Sequence, residues 1–352
     1  MSNSQRRLVF FCPSSLSPSG GIKQIYRHVK ILQELGLNVI LVLDTDSDLN
    51  RSWLKNDFDF KPYFRPNFFL EIYKNKNLKK KFLRLLLIKI RMIINSFLNK
   101  KSTFWHPENN DILIIPEIWV RDFENVFPNN DIIIFNQNCF YTVNNFANLK
   151  NLKGVVTVSN YSYNYLKLIY NREILMRITL GINTEVFSFE GKKKKIISYM
   201  SRKRPKDVEQ LLFLSAIYQD FENWEFVNIN NVPEIEVAEI LKKSIIFLST
   251  SDVEGFGLPP AEAMSCGCIV IGYDGVGGQE FFNSNLCFKI NSADILEYFN
   301  CLKEVVVNLN INFSHYENLR KSASDFIKYE YSLEVEKNSV HKTWLNLLNN
   351  FY

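Results

Sequence analysis

What the sequence lacks sets its first limits. The opening apolar run, Leu8 to Cys12, is five residues long, too short for a secretory signal and far short of the about 20 residues that cross a bilayer. Its six cysteines are scattered singly apart from Cys266 and Cys268, and no pair of C-x-x-C motifs offers zinc-ligand spacing, so they read as reduced thiols of a cytosolic protein. Cys266-Gly267-Cys268 could bind a metal, but small residues beside a glycine at a helix-to-strand junction read as packing. Histidine is scarce: there are four, all isolated, and His28 falls inside a helical stripe, so none is given a chemical role. Neither sign of charge is in large excess: Lys and Arg number 42, Asp and Glu 37. A formal net charge of +5 on 352 residues, with no DNA- or RNA-reading motif, argues against nucleic acid and fits anionic small molecules or a membrane surface. No internal repeat of short period occurs.

What is present is a long alternation of strand and helix patterns. A chain of this length divides into about two domains, each able to bury its own core. The first unit runs from a strand at Leu8 to Cys12 through "PSSLSPSGG" into a helix with the stripe Ile22, Ile25, Val29 and Leu32, closed by Gly36, then a strand at Val39 to Leu43. This is a βαβ crossover with Gly20 and Gly21 at the mouth of its helix. Further strands are predicted at Ile112 to Ile115, Ile132 to Phe135 and Val155 to Val158, and the first domain ends near "LGINTEVF", giving 1–187. The lysine run Lys192 to Lys195 marks a boundary. A second series follows over 188–330, with strands at Ile196 to Met200, Trp224 to Asn228, Ile245 to Leu248 and Ile269 to Ile271. Residues 331–352 read as a packed C-terminal helix through Leu333, Val340, Trp344 and Leu347. The pattern defines an α/β protein of two doubly wound domains.

The chemistry concentrates in "SDVEGFGLPPAEAMSCGC" from Ser251. A strand feeds a loop carrying Glu254, glycines at 255 and 257 allow a tight turn, and Pro259 or Pro260 can occupy the first turn of a helix, a turn that would also include Glu262. At the carboxyl end of a parallel strand, a helix N-terminus offers free N–H groups to a diphosphate. Flanking carboxylates could then accept hydrogen bonds from hydroxyls at either end, as a sugar nucleotide would require. The plainer reading is that Glu262 complements the helix dipole and Glu254 is a solvated loop acid; the intervening glycines and prolines weigh against it.

At these residues the sequence resembles the retaining glycosyltransferases of family 4 (glycosyl transferases group 1). "EGFGLPPAEAMSCG" is similar to that family's E-x7-E segment, and the resemblance takes in "SGGIKQIYRHVKILQELGLNV", "VVTVSNYS", "LGINTEVF", "SRKRPKD" and "GVGGQE". It covers most of the chain and is weakest over 44–110. The resemblance implies a GT-B fold, two Rossmann-like domains facing across a cleft, with the C-terminal helix packing back toward an N-terminal acceptor domain and the donor in the C-terminal one. It implies that Glu254 binds hydroxyls of the transferred sugar and Glu262 the ribose, with Phe256, Gly257 and Leu258 lining sugar and phosphate. Gly20 and Gly21 would let a loop approach the diphosphate. The family's basic pair is best matched by Arg202 and Lys206, with Lys203 and Arg204 beside them, and preorganised cations there would stabilise the departing nucleotide; the alternative is a solvated basic loop.

One departure matters. Where many relatives carry a histidine after a mid-sheet strand, this chain has "FNQNCFYT". Asn136, Gln137 and Asn138 can hydrogen-bond sugar hydroxyls but cannot act as a base. That favours the front-face mechanism proposed for the family, in which a donor phosphate oxygen takes the acceptor proton. Glu117 is either an acceptor contact or a loop acid.

Two further segments stay open. "DTDSD" (Asp44 to Asp48) looks like a metal-binding D-x-D or half a calcium loop, but Leu49 and Lys55 stand where calcium needs glycine and glutamate, so it reads as a polar turn. Lys74 to Lys101 holds ten basic residues and no acid; it is either an interfacial helix on an anionic membrane or a core helix of the first domain. The expectation is a cytoplasmic enzyme, with 74–101 a candidate contact to the inner membrane face. It moves a sugar from a nucleotide donor to a glycan or lipid-linked acceptor without cofactor or metal. Rival readings are a GT-B sugar-nucleotide epimerase and a catalytically silent GT-B partner protein.

Overall fold

The structure is a computed structural model describing residues 6–44, 53–54, 60–62, 107–140 and 146–349. The Lys74 to Lys101 segment and residues 45–48 of the "DTDSD" stretch lie outside these. The chain divides into two compact units, Met1–Phe135 with Thr142–Val155, and Asn136–Tyr141 with Val156–Tyr352.

The first sheet begins with β1 (Leu8–Cys12), α1 (Gly20–Glu34) and β2 (Val39–Leu43), followed by β3 (Phe60–Pro62), β4 (Ile112–Pro116), β5 (Asp131–Asn136), β6 (Leu152–Thr157), α2 (Asn160–Leu166) and β7 (Leu175–Arg177). Its strand order is β3-β2-β1-β4-β5-β6-β7. Every residue of β1 and β4 is buried, because parallel strands covered on both faces lose the apolar–polar alternation of a half-exposed sheet. β1 sits between β2 and β4 in parallel register, Leu8 opposite both Val39 and Ile112. α1 turns the predicted stripe inward, burying Ile22, Ile25, Val29 and Leu32. Gly36 ends it at φ +78°, the left-handed position just past a helix where glycine is favoured. His28 is also buried, between Phe10 and Phe135, and burial pulls its pKa down to about 3; it stays neutral.

The second sheet comprises β8 (Lys194–Tyr199), α3 (Pro205–Ile217), β9 (Glu225–Asn228), α4 (Glu234–Lys243), β10 (Ser244–Ser249), α5 (Leu258–Ser265), β11 (Ile269–Gly272) and β12 (Phe288–Lys289), with α6 (Ile295–Asn308), α7 (Phe313–Glu330) and α8 (Leu333–Asn349) completing the chain. Its order is β12-β11-β10-β8-β9 and all its pairings are parallel. The chain places β9 on one side of β8 and then crosses to the other side for β10, β11 and β12, so the winding reverses between β8 and β10. In open α/β sheets that reversal opens a crevice at the strands' carboxyl ends. α8 packs on 177–182: Thr343 Oγ1 donates to the Arg177 carbonyl at 3.3 Å and Ser339 Oγ accepts from the Thr179 N–H at 2.9 Å.

Several boundaries differ from the sequence reading. The strand expected at Val155 to Val158 starts at Leu152, its exposed Lys153 having masked the pattern. β7 and β12, three and two residues long, are too short to show a period. Cys266 and Cys268 are buried free thiols, and Cys268 Sγ donates to the Leu241 and Ser244 carbonyls at 3.1 and 3.3 Å, so the pair packs the α5–β11 junction. Among the described residues no three His, Cys, Asp or Glu side chains converge as metal ligands, and no helix is long and apolar enough to cross a membrane.

Candidate active site

A cavity opens where the second sheet reverses. It is lined from the end of β8 by Met200, Arg202 and Lys203, from the end of β10 by Ser249, Thr250, Ser251 and Glu254, from the start of α5 by Gly257, Pro259 and Pro260, and from the end of β11 by Asp274 and Gly275. Its volume is about 60 Å³, against about 300 Å³ or more for a site that encloses a drug-sized ligand. A space of this size fits one group of a larger molecule rather than the whole of it.

The polar run after β10 is bound into its neighbours. Ser249 Oγ donates to the Tyr273 carbonyl at 2.7 Å and Thr250 Oγ1 to the Met200 carbonyl at 3.1 Å. The chain then crosses to the segment after β11: the Glu254 N–H donates to the Gly275 carbonyl at 2.7 Å and the Gly277 N–H to the Glu254 carbonyl at 3.2 Å. Val276, between them, has φ +64° and ψ −56°, and the Gly277 N–H also reaches the Gly275 carbonyl at 2.7 Å. This is a γ-turn of the strained hand, and a β-branched residue at positive φ is an outlier that stores about 1–3 kcal/mol. Asp274 supports it, accepting the Val276 N–H through Oδ1 at 2.8 Å while Oδ2 pairs with Lys289 at 2.6 Å.

Glu254 points into this cavity and meets Lys203, Nζ to Oε1 2.8 Å, both side chains partly exposed; Lys203 Nζ also donates to the Val253 carbonyl at 2.5 Å. In that partly solvated setting the pair itself contributes only about 0–1 kcal/mol, so its consequence is placement. Gly257 caps α5 at φ +98°, a left-handed conformation that glycine alone adopts without strain. Leu258, Pro259 and Pro260 then fill the first turn, where a missing N–H costs nothing. The helix N-terminus, with its positive dipole end and the backbone N–H groups of Gly257 and Leu258, is beside the same cavity as Arg202 and Lys203, a setting suited to an anion.

Not every predicted residue joins this group. The prolines do occupy the first turn of α5, but the helix starts at Leu258, so Glu262 is its fifth residue, beyond that turn. This corrects the sequence reading and removes the plain dipole-complement explanation, which is confined to the first turn. Glu262 is half-buried and outside the cavity lining. Phe256 turns its ring into the core against Phe281 and Tyr331, centroids 5.2 and 5.3 Å away, leaving backbone to the loop. Lys206 is exposed on the first turn of α3 and does not line the cavity. Gly20 and Gly21 form the first turn of α1. Glu117 is no loop acid: it opens a 3₁₀ turn, Glu117–Phe123, and is buried.

The amide run does reach the Glu254 loop, by its backbone. Asn136 is buried and donates from Nδ2 to the Asn138 carbonyl at 2.7 Å, while Cys139 Sγ donates to the Glu254 carbonyl and burial pushes that thiol up to about 11. Gln137 is half-buried and Asn138 exposed. Nothing local to Cys139 signals this contact, because its partner lies 115 residues away. For Asp274 the signal was available: a polar residue at the carboxyl end of a strand adjacent to β10.

Fold and site together define a protein of two parallel-sheet, Rossmann-like α/β domains with a cavity at the strand carboxyl ends of the second that is lined by Arg202, Lys203 and Glu254. The family model described as glycosyl transferases group 1 matches residues 222–294, the stretch holding the Glu254 loop, α5 and the γ-turn. An alpha-1,6-glucosyltransferase of Actinobacillus pleuropneumoniae is 31% identical over 204 residues, covering 52% of this chain and 60% of that relative; the match thus spans less than two thirds of the relative's length. Among solved structures, HepE of Anabaena in complex with UDP superposes with a TM-score of 0.67 at 12% identity, covering 96% of this chain and 99% of that one. TarM of S. aureus in complex with fondaparinux, alpha-GlcNAc-glycerol and UDP gives 0.65 at 13% identity, covering 98% and 100%. At such identities these likenesses establish the fold, the GT-B glycosyltransferase fold.

Proposed function

We propose that this chain is a retaining glycosyltransferase that moves a hexose from a nucleotide-sugar donor to a glycan or lipid-linked acceptor, without a metal. The observation that carries the reading is Glu254 held beside Lys203 and Arg202 over the start of α5. A carboxylate there accepts hydrogen bonds from sugar hydroxyls, and cations with a helix N-terminus receive the diphosphate. The kinship to an alpha-1,6-glucosyltransferase and the UDP and UDP-glucose bound by HepE favour a uridine donor carrying glucose. UDP-glucose is α-configured, so an α-linked product corresponds to retention.

The chain's own groups do the following. Glu254, steadied by Lys203, orients the sugar, Gly257 and Leu258 supply backbone donors, Arg202 stabilises charge growing on the leaving diphosphate, and Glu262 takes the ribose. Gln137 and Asn138 offer amides toward the acceptor and no base, so the acceptor proton passes to a donor phosphate oxygen. Substituting Glu254→Gln keeps the shape and removes the charge on a contact worth about 1.5–3 kcal/mol, so kcat/KM for transfer is expected to fall roughly ten- to hundredfold. Transfer is read as acceptor-dependent release of UDP from UDP-glucose. Unchanged kinetics would remove Glu254 from the site, and conversion of donor alone to an epimer would replace the transferase reading.

The membrane side of the proposal rests on the sequence of 74–101. Ten basic residues without an acid are worth about 1 kcal/mol each near an anionic surface, screened over about 10 Å at 0.1 M salt. The full chain is expected to cosediment with phosphatidylserine-containing liposomes at low salt and to be released at high salt. Changing Lys79, Lys80, Lys81 and Arg84 to Gln should abolish the low-salt binding. A wild-type chain that stays in the supernatant returns the segment to the core.

A further inference from the structure

Two loops wall the cavity, Arg202–Arg204 after β8 and Asp252–Glu254 after β10, and they are joined by two ion pairs side by side. The inner pair, Lys203–Glu254 at 2.8 Å, lines the cavity. The outer pair is Arg204 Nη1 to Asp252 Oδ2 at 3.0 Å, and neither partner lines it. Arg204 uses the other edge of its guanidinium on Asp207, Nε and Nη2 each 2.9 Å from Oδ2. The same oxygen accepts the Tyr273 hydroxyl at 2.8 Å. Tyr273 is buried directly after β11, its hydroxyl held protonated by burial and by Asp207. One planar side chain therefore ties the start of α3 to the loop after β10, and Asp207 extends the tie to the end of β11.

We propose that Arg204 is a positioning residue for donor-sugar recognition: by clamping Asp252 it sets the spacing of the two walls and so where Glu254, two residues on, presents its carboxylate. The inference rests on the donor reading given above. A guanidinium is needed because its rigid fork serves Asp207 and Asp252 at once, which an ammonium on a flexible stem does not do in fixed geometry. The nucleotide end depends on Arg202 and the α5 N-terminus and is expected to be little affected.

Calorimetry on the full chain tests this with UDP, GDP, ADP and dTDP, each compared with its glucose conjugate. For the pair that binds, the ratio of the two affinities reports what the sugar adds, and the unfolded fraction of a variant does not alter it. Arg204→Lys and Asp252→Asn should each lower that ratio roughly tenfold or more, since a misplacement of about 1 Å can cost a hundredfold, while affinity for the bare nucleotide changes less than threefold. Asp252→Asn combined with Glu254→Gln should lose no more than Glu254→Gln alone, because the two act through one contact. An unchanged ratio in either single variant, or a double variant that loses the product of the two effects, overturns the inference and leaves the donor reading standing. A wild-type chain that binds none of the four pairs overturns the donor reading, and the inference with it.

Discussion

Replacing Arg202 with alanine is expected to slow transfer by about a hundredfold or more while leaving the fold intact. Of the cations around the cavity, Lys203 is neutralised by Glu254 and Arg204 by Asp207 and Asp252. Arg202 lines the cavity and, among the described residues, enters no ion pair, so its charge is available to the leaving diphosphate. A preorganised cation costs no rearrangement as charge develops, and in a closed site it is worth far more than in water. The loss should appear mainly in kcat. Lys206→Ala is the comparison: Lys206 sits one turn away on α3 and outside the lining, and a smaller effect there would assign the leaving-group role to Arg202. Transfer should also survive EDTA. Strict dependence on a divalent ion would move that role from Arg202 to a metal and bring "DTDSD" back into the mechanism.

The sequence carried the parts of this site that local chemistry controls. Gly257 and the two prolines announce a helix start wherever they occur, and the unbroken apolar runs of β1, β4 and β10 announce buried parallel strands. It did not carry what depends on strand register. Asp274 and Tyr273 reach the cavity and the Arg204 clamp because β10 and β11 pair Leu248 with Ile271 and Ser249 with Gly272, and that pairing brings "STSD" and "YDG" side by side. Nor could spacing alone fix Glu262. With the helix starting at Leu258, the two prolines and Ala261 take up the first turn and Glu262 falls just past it. The basic run "RKRPK" was legible as a cluster, but its division of labour was not. Lys203 faces Glu254, Arg204 faces Asp207 and Asp252, and Arg202 faces the cavity only because the chain turns there into α3.

The second large effect is expected at Gly255, where alanine should cost roughly 1–3 kcal/mol or more of stability and most of the transfer activity. A Cβ built there lies 1.7 Å from the Gln137 carbonyl oxygen and 2.7 Å from its carbon, with Asn138 Cα at 3.4 Å. The reason for glycine is close approach. Gly255 is not among the glycines at positive φ, and every atom it would strike is backbone, which cannot rotate away as a side chain could. The struck segment is also fixed, by Asn136 Nδ2 on the Asn138 carbonyl and by the Cys139 thiol on the Glu254 carbonyl. Relief must therefore come from the Glu254 loop, moving Glu254 away from Lys203 and from the sugar, and a shift of about 1 Å in a positioning group can cost a hundredfold in rate. Gly191→Ala is the matched control: its Cβ would meet only Phe189 Cε1, at 4.0 Å, and both melting temperature and turnover should be unchanged. A Gly255→Ala chain with wild-type melting and turnover would mean that 136–139 does not press on the loop, and the acceptor amides would then have to act independently of Glu254.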